Sequence, residues 1–130
     1  MTKFVDTNVL IRHLTGDPPA RAKRATTFLR TARDLVVVDL VAAEMVYVLE
    51  SFYKVDRSQV AESLRAVVAF PSISVADEAL LLRAVEVYED DRLDFAEAYL
   101  VAAAEVGGAH RVASFDRSID RVATVTRVEP

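Results

Sequence analysis

The sequence predicts one α/β domain, with four to five short parallel strands in a sheet flanked by helices. Short runs rich in β-branched residues alternate with longer segments of helical periodicity along the whole chain. No hairpin signal joins neighbouring strands, which favours parallel pairing through helical crossovers. The chain has 130 residues with only 3 Gly and 4 Pro, and no repeat or linker interrupts it. We therefore expect residues 1–130 to form a single domain.

Runs of β-branched residues and residues that end helices predict the first elements of the chain. Residues 3–5 form a short strand, and an apolar spacing of helical period follows until the sequence Gly-Asp-Pro-Pro at 16–19 ends it. A basic amphipathic helix is predicted over 19–33. Its expected buried face consists of Ala22, Ala25, Phe28 and Leu29.

The middle of the chain continues the alternation. Residues 35–38 are a β-branched run typical of a strand buried on both faces, and Asp39 is placed to cap the helix that runs to about Tyr53. A further helix is predicted from Ser58 to Phe70, where Pro71 ends it. Residues 73–75 form a short extended piece.

The last third predicts two helices and two strands. The helices cover 77–89 and 94–106, and Gly107-Gly108 ends the second one. Strands are expected at 111–114 and near 122–125, with a turn around Asp116 between them.

Composition excludes several kinds of site. The absence of Cys excludes disulfides, thiolate catalysis and Cys-based zinc sites, and two His residues are too few for a His-rich site. A bound cation should therefore be hard and coordinated by oxygen, such as Mg²⁺ or Mn²⁺. No signal peptide or membrane-length apolar run is present, so a cytoplasmic protein without membrane contact is expected.

Charge is unevenly distributed along the chain. The net charge of −4 by itself counts against nucleic-acid binding. Residues 12–33, however, hold six basic residues against one acidic residue, whereas residues 77–97 hold eight acidic residues against two basic ones. This pattern suits a metal pocket beside a phosphate-binding face, although two solvated helix surfaces would explain it equally well.

Four acids stand where the fold does not require them: Asp6, Glu44, Glu97 and Asp116. Asp6 and Asp116 follow predicted strands, and the carboxyl ends of parallel strands form the ligand crevice of such folds. Glu44 has only apolar or aromatic neighbours one helical turn away, which places it on the predicted buried stripe. Desolvated carboxylates are costly without a partner, so a shared divalent cation is the favoured explanation.

Each acid also has a purely structural interpretation. Asp6 can be a helix N-cap, and Asp94 with Glu97 has the spacing of a capping box. Asp116 can belong to an ordinary turn, and Glu44 can pair with an internal basic residue. Ser114 is placed to hydrogen-bond a carboxylate or a metal-bound water.

Four segments together resemble a PIN domain, and more narrowly a VapC-type ribonuclease toxin. They are Phe4-Val5-Asp6-Thr7-Asn8-Val9-Leu10, Val41-Ala42-Ala43-Glu44, the stretch from Asp94 to Ala104, and Val112-Ala113-Ser114-Phe115-Asp116. The resemblance implies Mg²⁺-dependent cleavage of single-stranded RNA, with Mn²⁺ able to substitute. It also implies a homodimer and neutralisation by a small cognate antitoxin.

The resemblance assigns catalytic roles to Asp6, Glu44, Glu97 and Asp116. We expect Asp6, Glu97 and Asp116 as metal ligands, and Glu44 and Glu97 could also act as outer-shell bases that orient a water. Asn8, Asp94 and Ser114 would support the site. The family usually has Asp at the third position, so Asp94 is the alternative ligand to Glu97.

Other functions remain open at this level. The chain could be a PIN-like module that binds RNA or protein after losing its metal, or a PIN nuclease for RNA maturation rather than a toxin. A phosphatase or receiver protein would need a lysine after a late strand, where this sequence has Arg117 and Arg121. The stripe Val46, Leu49, Phe52 and Tyr53 belongs either to a dimer or antitoxin surface or to the core.

Overall fold

The computed structural model describes residues 1–130, which divide into two compact units, 1–78 and 79–130. The first unit contains three strands and four helices: β1 (Lys3–Phe4), α1 (Thr7–Thr15), α2 (Pro19–Thr31), β2 (Leu35–Val36), α3 (Asp39–Ser51), α4 (Arg57–Val68) and β3 (Ile73–Ser74). From Glu78 onward the elements are α5 (Glu78–Asp90), α6 (Phe95–Val106), β4 (Arg111–Ala113), a 3₁₀-helix (Arg117–Arg121) and β5 (Thr126–Val128).

All strand pairs are parallel. The first sheet has the order β1-β2-β3, with Leu35 in register between Lys3 and Ile73. In the second sheet β4 pairs with β5, and Arg111 lies opposite Thr126. The predicted α/β class, with parallel strands and flanking helices, is confirmed.

The strands form two sheets rather than the single four- to five-stranded sheet predicted. Each strand has only two or three residues. Alternation of strand and helix predicts parallel pairing, but the choice of neighbour depends on contacts between distant parts of the chain. The local sequence pattern therefore does not determine which strands pair with each other.

The core of the first unit is aliphatic. Its fully buried side chains include Leu10, Leu29, Leu35, Met45 and Leu49. Helix α1 packs against α2 and α3, and Gly16 ends α1 in the left-handed conformation (φ 71°), which glycine adopts without steric cost.

Helix α2 presents three of its four predicted core residues to this core. Ala22, Ala25 and Leu29 are buried, but Phe28 is 37% exposed. The buried residues have the spacing i, i+3, i+7, so the core-facing stripe is already complete and Phe28 lies at its edge. The prediction that Phe28 is buried is wrong.

In the second unit, buried side chains come from every element except the short strand β5. They include Leu81, Tyr88, Val101, Val112 and Ile119. Val122 and Val125 are buried in the loop before β5, so the strand predicted near 122–125 begins instead at Thr126. Their apolar character indicated burial, which a loop residue can satisfy as well as a strand residue.

A partly buried ion pair links α5 to α6. Arg83 donates from Nε to Glu105 Oε1 at 2.8 Å and from Nη2 to Oε2 at 3.0 Å, a bidentate arrangement. Thr124 also donates to Glu105. These contacts lower the pKa of Glu105, chiefly through the hydrogen bonds from Arg83.

None of the helices combines the length and the apolar character that a membrane crossing requires.

Candidate active site

Ser118 joins the carboxyl groups of Glu97 and Asp116 in the second unit. Ser118 contacts both: its hydroxyl donates to Glu97 Oε2 at 3.0 Å, and its backbone N–H donates to Asp116 Oδ1 at 2.9 Å. Glu97 lies in the first turn of α6, and Asp116 is the residue that begins the 3₁₀-helix. The fold thus unites acids that lie 19 residues apart in the sequence.

The two carboxyl groups have opposite pKa displacements. Burial raises the pKa of Glu97, and the hydrogen bond to Asp116 and the negative charges of Asp116 and Asp94 raise it further. Hydrogen bonds from Ser118, followed by the one from Glu97, lower the pKa of Asp116. Glu97 is therefore the member of the pair that holds a proton more readily, and Asp116 is the member that stays ionised.

The loop after β4 determines the position of Asp116. Its backbone N–H donates to Ser114 Oγ at 2.9 Å, and the Ser114 carbonyl accepts from Arg127 Nη1 at 3.0 Å. Ser114, predicted to support the site, contacts the backbone of Asp116. It orients the turn from which the carboxylate projects.

Asp94 stands at the N-cap of α6, but its side chain accepts no capping hydrogen bond. Glu97 bonds to Ser118. The capping box that would have explained Asp94 and Glu97 structurally is therefore not formed. Asp94 is exposed, and its charge contributes to the raised pKa of Glu97.

Asp6 likewise occupies an N-cap position, that of α1, without a capping hydrogen bond from its side chain. Asp56 at the start of α4 does cap its helix, since its Oδ1 accepts from the Gln59 N–H at 3.0 Å. Asp6 is exposed, and the adjacent Thr7 hydroxyl is buried with no hydrogen-bond partner. Capping does not account for the acid at position 6.

Glu44 lies on the exposed side of α3, which corrects the prediction that it belongs to the buried stripe. The buried stripe is Ala42, Met45, Val46 and Leu49. Glu44 is two positions after Ala42, which is a rotation of about 200° around a helix with 3.6 residues per turn. Glu44 is therefore on the opposite face, between the exposed side chains of Leu40 and Tyr47.

The apolar stripe on α3 divides in the same way. Val46 and Leu49 are core residues, whereas Phe52 is 76% exposed and Tyr53 is partly exposed. The predicted stripe is thus not one continuous surface. Core packing explains Val46 and Leu49.

The chain contains no group of three or more acidic or histidine side chains close enough together to hold a metal ion. The pair formed by Glu97 and Asp116 nevertheless fits Mg²⁺, because this cation is commonly held by one or two carboxylates, with waters and substrate phosphates completing its coordination. A cation placed between two neighbouring carboxylates would also relieve their mutual repulsion.

Both histidines have structural contacts. His13 Nδ1 lies 2.7 Å from Thr26 Oγ1, and its ring packs edge-on against Phe70. Burial and the charge of Arg30 lower the pKa of His13. His110 Nδ1 lies 3.0 Å from the carbonyl of Thr124. Neither imidazole contacts the acids described above.

Two features of the structure have no counterpart in the sequence-based prediction. The first is Ser118, whose position two residues after Asp116 is a common capping arrangement and could have indicated its backbone contact. Its hydroxyl contact with Glu97 could not be read from the sequence. The second is a groove between α1 and α2 lined by Asn8, Val9, Arg12, Arg21, Arg24, Ala25 and Phe28.

Comparison with known proteins supports the family resemblance. A comparison with curated proteins gives no match. The family model described as PIN domain matches residues 3–125, nearly the full chain. This match includes Asp6, Glu44, Glu97 and Asp116, and it carries with it a nuclease-like fold. The chain belongs to the PIN domain family.

Proposed function

We propose that this protein is a Mg²⁺-dependent endoribonuclease, with Mn²⁺ able to substitute, that hydrolyses phosphodiester bonds in single-stranded regions of RNA. We further propose that it acts in the cytoplasm as the toxin of a toxin–antitoxin pair, as a homodimer that a small cognate antitoxin neutralises. The nuclease-like fold of the family is the starting point for this proposal.

The observation that carries the proposal is the carboxyl pair of Glu97 and Asp116. Two carboxyl groups held by the same residue repel each other when both are ionised; burial, together with the nearby Asp116, raises the pKa of Glu97. Such an arrangement is common where a cation or a proton is handled. Neither carboxyl group forms an ion pair with a basic side chain, unlike Glu105 with Arg83.

In the proposed reaction Glu97 and Asp116 would hold the cation, with Asp94 as the alternative to Glu97. Asp6 stays a proposed catalytic acid of the first unit. The bound cation would polarise a phosphate oxygen and lower the pKa of a bound water. Ser118 orients both carboxyl groups through its hydroxyl and its N–H. Where Asp94 is the ligand instead, Glu97 would act as an outer-shell base that orients the bound water.

Glu44 and Asn8 remain proposed contributors to catalysis. Glu44 is exposed on α3, so its carboxylate is accessible to a substrate. Asn8, also exposed, lies in the first turn of α1, two residues after Asp6. Its amide could donate to a phosphate oxygen or to a water.

Cleavage of a single-stranded oligoribonucleotide tests the enzymatic proposal. We expect EDTA to stop cleavage and Mn²⁺ or Mg²⁺ to restore it, and we expect Asp116→Asn to abolish it. Asp120→Asn is the matched control, since Asp120 lies in the same 3₁₀-helix but pairs with Arg127. Cleavage that resists the chelator would contradict metal dependence.

Titration with Mn²⁺ by calorimetry separates the enzyme from a PIN-like module that has lost its metal. The wild-type protein should bind Mn²⁺, and the double variant Glu97→Gln/Asp116→Asn should not. Equal heats for the two proteins would favour the non-catalytic module.

The toxin role requires a cellular measurement. Expression should arrest growth, and co-expression of the antitoxin encoded beside it should restore growth. An active enzyme whose expression leaves growth unchanged would instead indicate a nuclease for RNA maturation.

A further inference from the structure

A groove between α1 and α2 in the first unit has a volume of about 640 Å³. From α1 it receives Asn8, Val9 and Arg12, and from α2 it receives Arg21, Arg24, Ala25 and Phe28. On α2 these positions have the spacing i, i+3, i+4, i+7, so they share one face of the helix. From Arg21 to Phe28 they extend over about 10 Å at the usual helical rise.

The three arginines of this groove have no acidic partner. No ion pair or side-chain hydrogen bond within the chain involves Arg12, Arg21 or Arg24. Elsewhere Arg65, Arg83 and Arg127 are all paired with carboxylates. Gathering unpaired guanidinium groups along one groove, in a chain whose net charge is −4, favours a polyanionic ligand.

Phe28 adds an aromatic surface to the groove. Its side chain is 37% exposed although it is the largest apolar residue of α2. It also lines a second, adjoining depression with Lys23, Arg24 and Thr27. Surfaces that bind single-stranded nucleic acids commonly combine exposed aromatic rings with basic side chains, because bases stack on the rings while the cationic groups contact phosphates.

One residue that lines the groove, Asn8, lies two positions after Asp6, the proposed catalytic acid of this unit. Asn8 lies in the first turn of α1, directly after Asp6 and Thr7. The N–H groups at a helix N-terminus attract phosphate, and the groove supplies arginines one and more turns further along. A strand lying in the groove would therefore bring its backbone to the vicinity of Asp6.

We propose that the groove between α1 and α2 binds the backbone of single-stranded RNA, with Arg12, Arg21 and Arg24 on successive phosphates and Phe28 stacked against a base. This inference rests on the proposed ribonuclease function and identifies how the substrate strand is held. Guanidinium groups suit the role because their planar donors match phosphate oxygens in a bidentate manner.

Equilibrium binding of a fluorescent oligouridylate tests the groove. The full chain carrying Asp116→Asn serves as the background, so that the probe is not cut. We expect the added double substitution Arg21→Gln/Arg24→Gln to raise Kd at least about tenfold and to reduce the slope of log Kd against log salt by about 1.4, which corresponds to two lost phosphate contacts on a single strand.

The matched control is Arg30→Gln/Arg33→Gln, which removes the same charge from the end of α2 and the residues directly after it, outside the groove. It should change Kd less than about threefold, because it alters only the general field. Circular dichroism of each variant should be unchanged, since Arg21, Arg24, Arg30 and Arg33 are exposed.

Phe28 has its own pair of variants. Phe28→Leu keeps apolar bulk but removes the aromatic ring, and we expect it to weaken binding about tenfold, whereas Phe28→Tyr should bind like the parent. Phe52→Leu, at the more exposed phenylalanine directly after α3 (76% against 37% for Phe28), should have no effect.

The outcomes separate this inference from the proposed function. Binding that depends on the groove arginines, with no RNA cleavage by the wild-type protein, supports the groove and contradicts the nuclease proposal. Unchanged Kd and salt slope in Arg21→Gln/Arg24→Gln, with cleavage by the wild type intact, overturn the groove alone. A poly-glutamate peptide that binds through these arginines when oligouridylate does not would overturn the RNA assignment and indicate an acidic protein partner.

Discussion

Glu97 and Asp116 both accept a hydrogen bond from Ser118, and the pKa values of their carboxyl groups are displaced in opposite directions. The direction for each follows from its surroundings. Glu97 is partly buried and faces the negative charges of Asp116 and Asp94, whereas Asp116 is exposed and accepts a backbone hydrogen bond from Ser118. An asymmetric pair of this kind has one group that can bind and release a proton and one that remains a negative ligand.

Glu97→Gln should stabilise the protein at alkaline pH while removing nuclease activity. A raised pKa means that the stability contributed by protonated Glu97 is present below its ordinary value of 4.5 and is lost as pH rises through the raised value. The amide of Gln can donate to Asp116 at every pH. Urea unfolding should therefore show a gain of up to about 1 kcal/mol at pH 8 and no difference near pH 4. A loss of stability at pH 8 would contradict this account of the pair.

Asp6→Ala should cost little stability, because the Asp6 side chain makes no capping hydrogen bond. We expect a change in the free energy of unfolding below about 0.5 kcal/mol. Asp56→Ala is the control: it removes the hydrogen bond to the Gln59 N–H and should cost about 1 kcal/mol. RNA cleavage should be lost in the first variant and kept in the second. A larger loss of stability in Asp6→Ala than in Asp56→Ala would instead mean that the Asp6 side chain caps α1.

Glu105→Gln should destabilise the second unit in a pH-dependent manner. The pKa of Glu105 is lowered, so its contribution is present above the ordinary value of 4.5 and is lost as pH falls through the lowered value. Its side chain is only 14% exposed and bidentately paired with Arg83. At pH 7 we expect a loss of about 1–3 kcal/mol in chemical denaturation.

The control for this prediction is Glu129→Gln, which breaks the ion pair between Glu129 and Arg127. The Glu129 side chain is 51% exposed. This substitution should cost less than about 1 kcal/mol. Below the lowered pKa of Glu105 the Glu105→Gln variant and the wild type should converge. A constant difference down to acid pH would assign the effect to packing.

Ser118→Ala should raise the pKa of Glu97 further, because the Ser118 hydroxyl bond lowers it. The carboxyl carbon of Glu97, followed by NMR over pH, should titrate at higher pH in the variant. The acid limb of the cleavage profile should move in the same direction. Ser58→Ala, which removes a comparable hydroxyl bond to Asp56, should leave both measurements unchanged. A merely structural role for Ser118 would lower activity without moving the profile.

Much of the architecture could be predicted because it depends on local pattern. The helices from α1 to α6 begin and end within a few residues of their predicted bounds, since apolar periodicity, Pro and Gly mark these positions in the chain. Parallel pairing followed from the helical segments between strands. The last strand was misplaced because Val122 and Val125 are buried in a loop.

The candidate site was predictable in its residue types and only partly in its arrangement. Acids at apolar boundaries stand out in a sequence because burial of a carboxylate is costly. Whether such an acid is buried, capping or free depends on neighbours elsewhere in the chain. Glu44 illustrates this: its neighbours Leu40 and Tyr47 are apolar in sequence but exposed in the structure.

The sequence by itself determined the α/β class, the oxygen-rich character of any metal site and the basic character of α2, because these follow from composition and short-range periodicity. Tertiary structure alone decided that Glu97 meets Asp116 through Ser118, that Phe28 and three arginines line one groove, and that the strands form two sheets. The physical reason is the same in each case. Contacts between residues far apart in the chain depend on how elements pack, and packing is a property of the whole set of surfaces rather than of any one segment.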